Sequence, residues 1–277
     1  MYTERSAELK NDFYSRYGEA AGTLYFERVG LPCILMDSGT HMLAFALGCG
    51  VRAYGRECGD VLRIINADSD ECDVHFAPNG RGAQILYKED MPGAVGCREA
   101  EEYAVMKLLC DMRKLRPREL GSTAELCDRY GSGGWCAYSE NGIKQQLPLP
   151  LLHKNVLLIR AGRLRRISDN KAMERFRAAE TERIAAAAVA LRKCRIEVLF
   201  DMLNESQRSA ELMLSLPPLQ LLAVRAAREA DGVLAARITN MGVICITEES
   251  KTDSAIRAIA EEYERSAGYS AGISVVK

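Results

Sequence analysis

The sequence has no charge bias. Across 277 residues, Lys and Arg number 37 against 38 Asp and Glu, a net charge of −1. No basic field exists to hold nucleic acid or an anionic membrane surface, so neither is expected as a partner. No apolar run approaches the roughly 18 residues of a membrane-spanning helix. The first ten residues, Met1 to Lys10, are charged and lack the apolar stretch of a secretion signal. There is no C-x-x-C pair among the ten cysteines, which are spread from Cys33 to Cys245. A structural zinc site and a dense disulfide framework are both excluded on that spacing, and reduced thiols in a cytoplasmic protein are expected. His41, His75 and His153 have no metal-ligand spacing, and no metal is expected. P-loop and dinucleotide fingerprints, Ser or Cys nucleophile motifs and internal repeats are likewise missing.

What is present is a large apolar fraction, 48% of the residues, enough for one large domain or two ordinary ones. Leu9, Phe13 and Tyr17 recur at spacing four and predict a helix over 4–17. Strands are expected at 23–26, 33–36, 42–54, 61–66 and 83–88, with turns at Gly59-Asp60 and Gly80-Arg-Gly82. Helices follow at 98–113 and 118–130. Two strands, 135–139 and 145–149, flank Asn141-Gly142, a strong hairpin signal. A buried strand is expected at 155–159. From Lys171 to Leu214 the chain is rich in Ala, Glu, Arg and Leu, and reads as two helices split near 192–195. Pro217-Pro218 starts another. A hairpin around Asn240-Met-Gly242, a helix over 252–267 and a strand over 273–276 complete the chain. Strands mixed with helices, then helices, hairpin, helix and strand, give an α+β fold. The change of character places a boundary near 155–170, giving domains 1–160 and 161–277. The C-terminal hairpin and final strand are expected in one antiparallel sheet, covered by helices from 171–214 and 252–267.

The tail carries the most information. Ala236-Arg-Ile-Thr239 followed by Gly242-Val-Ile-Cys245 resembles the closing motif of the galactokinases, members of the GHMP small-molecule kinase superfamily, with its glycine-rich centre shortened to a turn. The resemblance extends through most of the chain in order. Glu27-Arg-Val29, and Asp37 after it, resemble the opening R-V-N-L-I-G-E-H-T-D. Ile34, Leu35 and Met36 stand where the family has Glu, His and Thr, and their side chains offer no hydrogen bond to a sugar. Asp37 remains as a sugar contact or as a turn aspartate before Ser38-Gly39. Gly82 to Pro92 resembles the strand and turn that precede the ATP-phosphate loop. Gly93 and Gly96 are what remains of that loop, and the family's serines are replaced by Arg98, Glu99 and Ala100. Carboxylates at Glu99, Glu101 and Glu102 are expected in the first turn of the helix, where they suit the helix dipole and repel phosphate. Unit like charges about 4 Å apart cost about 4 kcal/mol at an effective dielectric of 20. Asp128, in Cys127-Asp128-Arg129, is either a remnant of the catalytic base or an aspartate on the preceding helix. In the second half, Asp201 to Ser209 resembles the family's M-N-x-S-H helix, with Gln207 at the histidine. Shortfalls around 74–82 and 166–174 imply absent helices.

The resemblance implies a two-domain GHMP-kinase-like fold and a shortened galactokinase-like protein without catalysis, in a regulatory or ligand-sensing role. No cofactor is expected on that reading. A surviving ATP-dependent sugar kinase would need Mg-ATP and would bring Asp37, Gly96 and Asp128 to one cleft. A binder of a different, sugar-like or other small ligand would show an apolar pocket near Ile34–Met36, whereas a pure interaction protein would show none. Apolar surface left by absent helices would be reburied in a homodimer.

Overall fold

The computed structural model describes residues 2–19, 22–69, 71–77, 81–94, 96–116, 119–162 and 170–276. The chain divides into two compact units, Met1–Leu31 with Cys49–Glu125, and Pro32–Gly48 with Leu126–Lys277. This division differs from a single boundary at 160, because strands β1 (Tyr25–Asp37) and β2 (His41–Glu57) each contribute to both units.

In the first unit, helix α1 (Tyr2–Tyr17) buries Leu9 and Phe13 against Leu86, with Tyr17, Tyr54 and Ile65 around them. The spacing of four puts these side chains on one face, which is why a helix with an otherwise polar sequence docks at all. Strands β3 (Val61–Asn66), β4 (Cys72–Phe76) and β5 (Ala83–Glu89) join β2 in the order β4-β3-β5-β2. The β3–β5 pair is parallel and the β3–β4 and β2–β5 pairs antiparallel. Helix α2 (Cys97–Met112) turns Ala100, Tyr103, Ala104 and Leu108 inward. Gly55 lies directly beneath it: a Cβ there would sit 2.4 Å from Met112 Cε.

Helix α3 (Thr123–Tyr130) follows. Ser122 Oγ accepts from Glu125 N–H, and Glu125 Oε2 accepts from the Leu120 and Gly121 amides at 2.7 and 2.9 Å. This S-x-x-E pair fixes the helix start at 123. The helix expected from 118 starts later, since residues 119–122 are not helical; 118 itself lies outside the described residues.

In the second unit, β6 (Trp135–Glu140) and β7 (Ile143–Pro148) form the expected hairpin. Asn141 and Gly142 at its tip have φ of 48° and 85°, both positive as a type I′ turn requires. A four-stranded sheet has the order β11-β8-β10-β9, from β8 (Lys154–Arg160), β9 (Val233–Thr239), β10 (Gly242–Glu248) and β11 (Gly272–Val275). Every pair in it is antiparallel. Helices α6 (Pro218–Glu229) and α7 (Thr252–Ala267) cover one face, packing Ala223, Val224, Ala227, Ile259 and Tyr263 onto Leu157, Ile159, Val243 and Cys245. Helices α4 (Asn170–Arg192) and α5 (Ile196–Met213) pack on each other, and α5 runs along β9. The sheet expected for the tail is therefore present. Its main cover is α6 and α7, while 171–214 guards its edge through α5.

That edge is closed by side chains. β9 is one of the two outer strands, and its outward amides need partners. Asn204 Nδ2 donates to Leu234 O at 2.9 Å, and Asn204 Oδ1 accepts from Ala236 N at 3.2 Å. Gln207 Oε1 accepts from Ile238 N at 2.9 Å. The two residues are three apart and share a helix face.

Two expectations change. The runs 23–26 and 33–36 belong to one strand, because Gly30-Leu-Pro32 stays extended between them; proline's fixed φ is compatible with a strand, and its missing N–H breaks nothing where no ladder bond is required. β4 is not among the expected strands: Cys72-Asp-Val-His-Phe76 alternates, but over only five residues, and it is an edge strand whose residues 72–75 are exposed. Of the shortfalls at 74–82 and 166–174, residues 78–80 and 166–169 lie outside the described residues; 74–76 end β4 and 170–174 begin α4.

Candidate functional site

A cavity of about 330 Å³ opens within the second unit. The end of β1 gives it Ile34, Met36 and Asp37. The first turns of α4 give Met173, Phe176 and Arg177; α5 gives Gln207 and Ala210; the chain that follows gives Leu214, Leu216, Pro217 and Gln220. The end of β9 and its turn supply Arg237, Ile238, Thr239 and Asn240. Met36 is fully buried and Phe176 nearly so. The walls are thus mostly apolar, with polar groups at a few points, as small-molecule sites usually are.

The polar end is organised by a buried carboxylate. Glu180 is fully buried on α4. Its spacing from Phe176 and Ile184 places it on the inward face. Its Oε1 accepts from Arg237 Nη2 at 2.8 Å and its Oε2 from Arg183 Nη1 at 3.1 Å. Ser206 Oγ lies 2.7 Å from both oxygens. Burial pushes the Arg237 pKa below the usual guanidinium value, and the Glu180 charge pushes it back; the group stays charged. Arg237 Nε has no partner among the described residues, and neither has Oε1 of Gln220. Gln220 is 1% exposed. An unpaired buried polar atom costs roughly 1–3 kcal/mol, so these two atoms mark a place where the fold is not self-sufficient.

Asn240 fixes the wall on the other side. Its Oδ1 accepts from Ile34 N at 2.8 Å and its Nδ2 donates to Pro32 O at 2.9 Å. The shortened β9–β10 turn is thereby tied to β1. Asn240→Ala leaves both backbone groups unpaired, and a loss of about 1–3 kcal/mol is expected from the urea midpoint. Asn240→Asp, which keeps the acceptor and loses the donor, should fall between the two.

The residues singled out in the sequence are distributed as follows. Asp37 is exposed at the rim of the cavity, and its Oδ1 accepts from Gly39 N at 2.8 Å. It is a turn aspartate and a cavity residue at once. Asp128 belongs to the same unit, half-buried on α3, with its carbonyl accepting from Ser132 Oγ at 2.9 Å. It does not line the cavity. Gly93 and Gly96 lie in the first unit. Gly96, at φ 82°, is the N-cap of α2, and no side chain caps the helix there. Of the three glutamates expected in the first turn, only Glu99 is there, because the helix begins at Cys97. Glu102 is an exposed partner of Arg98 at 3.0 Å. Glu101 is half-buried, and burial raises its pKa although a hydrogen bond from Tyr87 works against that rise.

Glu180, Arg183, Gln220 and Asn240 were not read as site residues from the sequence. The signal for Glu180 was available: it interrupts an apolar i, i+4 row from Phe176 to Ile184. Asn240 was read only as a turn residue. Among the described residues, no group of His, Cys, Asp and Glu is suited to a metal, and no helix is long and apolar enough to cross a membrane.

No family model matches the sequence, and no curated protein matches it. The fold does have solved counterparts. The galactokinase of Lactococcus lactis, solved with galactose, superposes with a TM-score of 0.82 at 14% identity, covering 99% of this chain and 97% of that one. The Methanococcus jannaschii mevalonate kinase gives 0.67 at 8% identity, covering 93% and 98%. A Cytophaga hutchinsonii homoserine kinase gives 0.62 at 13% identity, covering 94% and 96%. The chain has the α+β fold of the GHMP kinases.

Proposed function

We propose that this GHMP-fold protein has lost phosphoryl transfer and binds a small molecule in the cavity of its second unit, in a regulatory or ligand-sensing role. The cavity itself carries the reading: an interaction protein without a ligand has no need of a pocket walled by Ile34 and Met36 with a half-buried arginine at one end. The galactokinase resemblance puts polar sugar contacts where these apolar side chains stand, so the pocket is suited to a different guest.

The start of α2 does not fit a nucleotide triphosphate. Helix N-terminal amides attract phosphate, but Glu99 already supplies negative charge in that turn. Arg98, the nearest compensating charge, is exposed and paired with Glu102. No serine hydroxyls follow. Phosphoryl transfer depends on positioning and electrostatic stabilisation, and the residues present oppose both.

The alternative, a sugar kinase with rearranged residues, is favoured by one observation, the persistence of Asp37 at the cavity rim. Titration calorimetry with Mg-ATP separates the two. No saturable isotherm is expected at millimolar nucleotide, and no galactose phosphorylation. A saturable isotherm that Gly96→Leu abolishes would reverse the ranking in favour of the kinase.

A further inference from the structure

We infer that the cavity takes a small monocarboxylate with a compact apolar body, in preference to a neutral sugar or a phosphate ester. The inference rests on the reading of this cavity as a ligand site. Charge is the first argument. Glu180 is shared by Arg237 and Arg183, and each of its oxygens already accepts a guanidinium hydrogen bond and lies beside the Ser206 hydroxyl. Two partly buried cations, Arg237 at 11% and Arg183 at 18% exposure, therefore meet one fully buried anion. At the rim stand exposed Arg177 and exposed Asp37, and the Asp37 charge also acts on Arg237. Summed over Arg177, Arg183, Arg237, Glu180 and Asp37, one positive charge is left over.

Hydrogen bonding is the second argument. Arg237 Nε is a donor without a partner among the described residues. Gln220, also at the cavity wall, has an unpartnered Oε1. The same amide carries two N–H donors on Nε2, which a ligand oxygen can take. A carboxylate is a pure acceptor with two oxygens, and bonds from charged donors to it are the strong ones. A phosphate ester carries close to two charges at neutral pH, more than the excess here. The hydroxyls of a sugar would face Ile34, Met36, Phe176 and Leu216, which can pair with none of them. A compact hydrocarbon body suits those walls.

The test uses the full chain and titration calorimetry, with thermal unfolding as a second readout. The probes are 3-methylbutanoate and phenylacetate, their primary amides as uncharged isosteres, galactose and galactose 1-phosphate. The two acids should bind saturably and raise the midpoint, with the amides weaker by about tenfold or more. Arg183→Met removes the excess charge from a side chain that does not line the cavity, and should weaken the acids about tenfold while leaving the amides unchanged. Gln220→Leu removes an unpaired polar group, so the unliganded protein should be at least as stable as the parent while its affinity for the acids falls. Amides that bind as tightly as acids, or tighter binding of galactose 1-phosphate, would overturn the carboxylate assignment and leave the ligand site standing. If every probe fails against folded protein, both this inference and the ligand-site reading are lost. Turnover of galactose with Mg-ATP would instead overturn only the claim of lost catalysis.

Discussion

Replacing Glu180 with leucine is expected to lower stability by roughly 3–5 kcal/mol, the usual cost of stripping one partner from a buried ion pair. That is a large share of the 5–15 kcal/mol typical of a folded domain. The size follows from what is left behind. Arg237 would keep its charge, its Nε already lacks a partner, and its Nη2 would lose the 2.8 Å bond to the carboxylate. Arg183 is less affected, because it is 18% exposed against 11% for Arg237. The double replacement Glu180→Leu with Arg237→Leu should recover most of the loss, since well-packed apolar residues substitute for buried ion pairs at little cost. Urea denaturation of parent, single variants and double variant gives the coupling energy directly. A single variant within about 1 kcal/mol of the parent would show that water reaches the pair and that the buried-charge account fails.

Gly50→Ala should be comparably severe, for a steric reason. A Cβ on Gly50 would lie 2.0 Å from Val29 O and 2.7 Å from Gly30 Cα. Both obstacles are backbone atoms of β1, so no side chain can swing aside. The neighbouring Asp90 also bonds the Gly50 amide, at 2.9 Å, while its other oxygen holds Arg52 at 2.8 Å. Moving the strand to relieve the clash would therefore disturb a buried ion pair as well. A loss of about 3 kcal/mol or more is expected, at the upper end of overpacking effects. Gly93→Ala is the control. It too changes a glycine to alanine, but nothing lies within 4 Å of its Cβ. Its cost should be only the left-handed backbone term at φ 73°, about 1–2 kcal/mol. Equal losses for the two variants would mean that contact, as distinct from conformation, is not what Gly50 provides.

Local signals made much of the fold legible. Helix α7 and strand β3 end where the sequence places them, and the break between α4 and α5 falls at 193–195. These elements rest on spacing-four apolar rows, strand-like alternation and Pro or Gly punctuation, all read within a few residues. What was hidden depends on distant partners or is too short to register. β4 alternates, but five residues at an exposed edge are too short a run to stand out. Asn240 acts on Ile34 and Pro32 across 206 and 208 positions, and nothing near it in the chain announces that. The candidate site was legible in part. The apolar run Ile34–Met36 and Asp37 were noticed through a resemblance, and three of those four residues line the cavity. The charged end was not, because Glu180 and Arg183 sit in a helix whose polar residues mostly face water, and only tertiary packing distinguishes the buried ones.

The closed edge of β9 bears on how long the protein survives at high concentration. An open strand edge is a template on which further chains add, rung by rung. Here the rungs at Ala236 and Ile238 are already taken by Asn204 and Gln207. Loss of α5 from the sheet is a partial opening, and such openings need less free energy than unfolding the whole domain. It would bare a strand rich in Val, Leu, Ala and Ile while the rest of the sheet stays intact, which is the form most prone to accrete. Shelf life in concentrated solution is then set by how often a single helix peels away, and not by the midpoint of global unfolding.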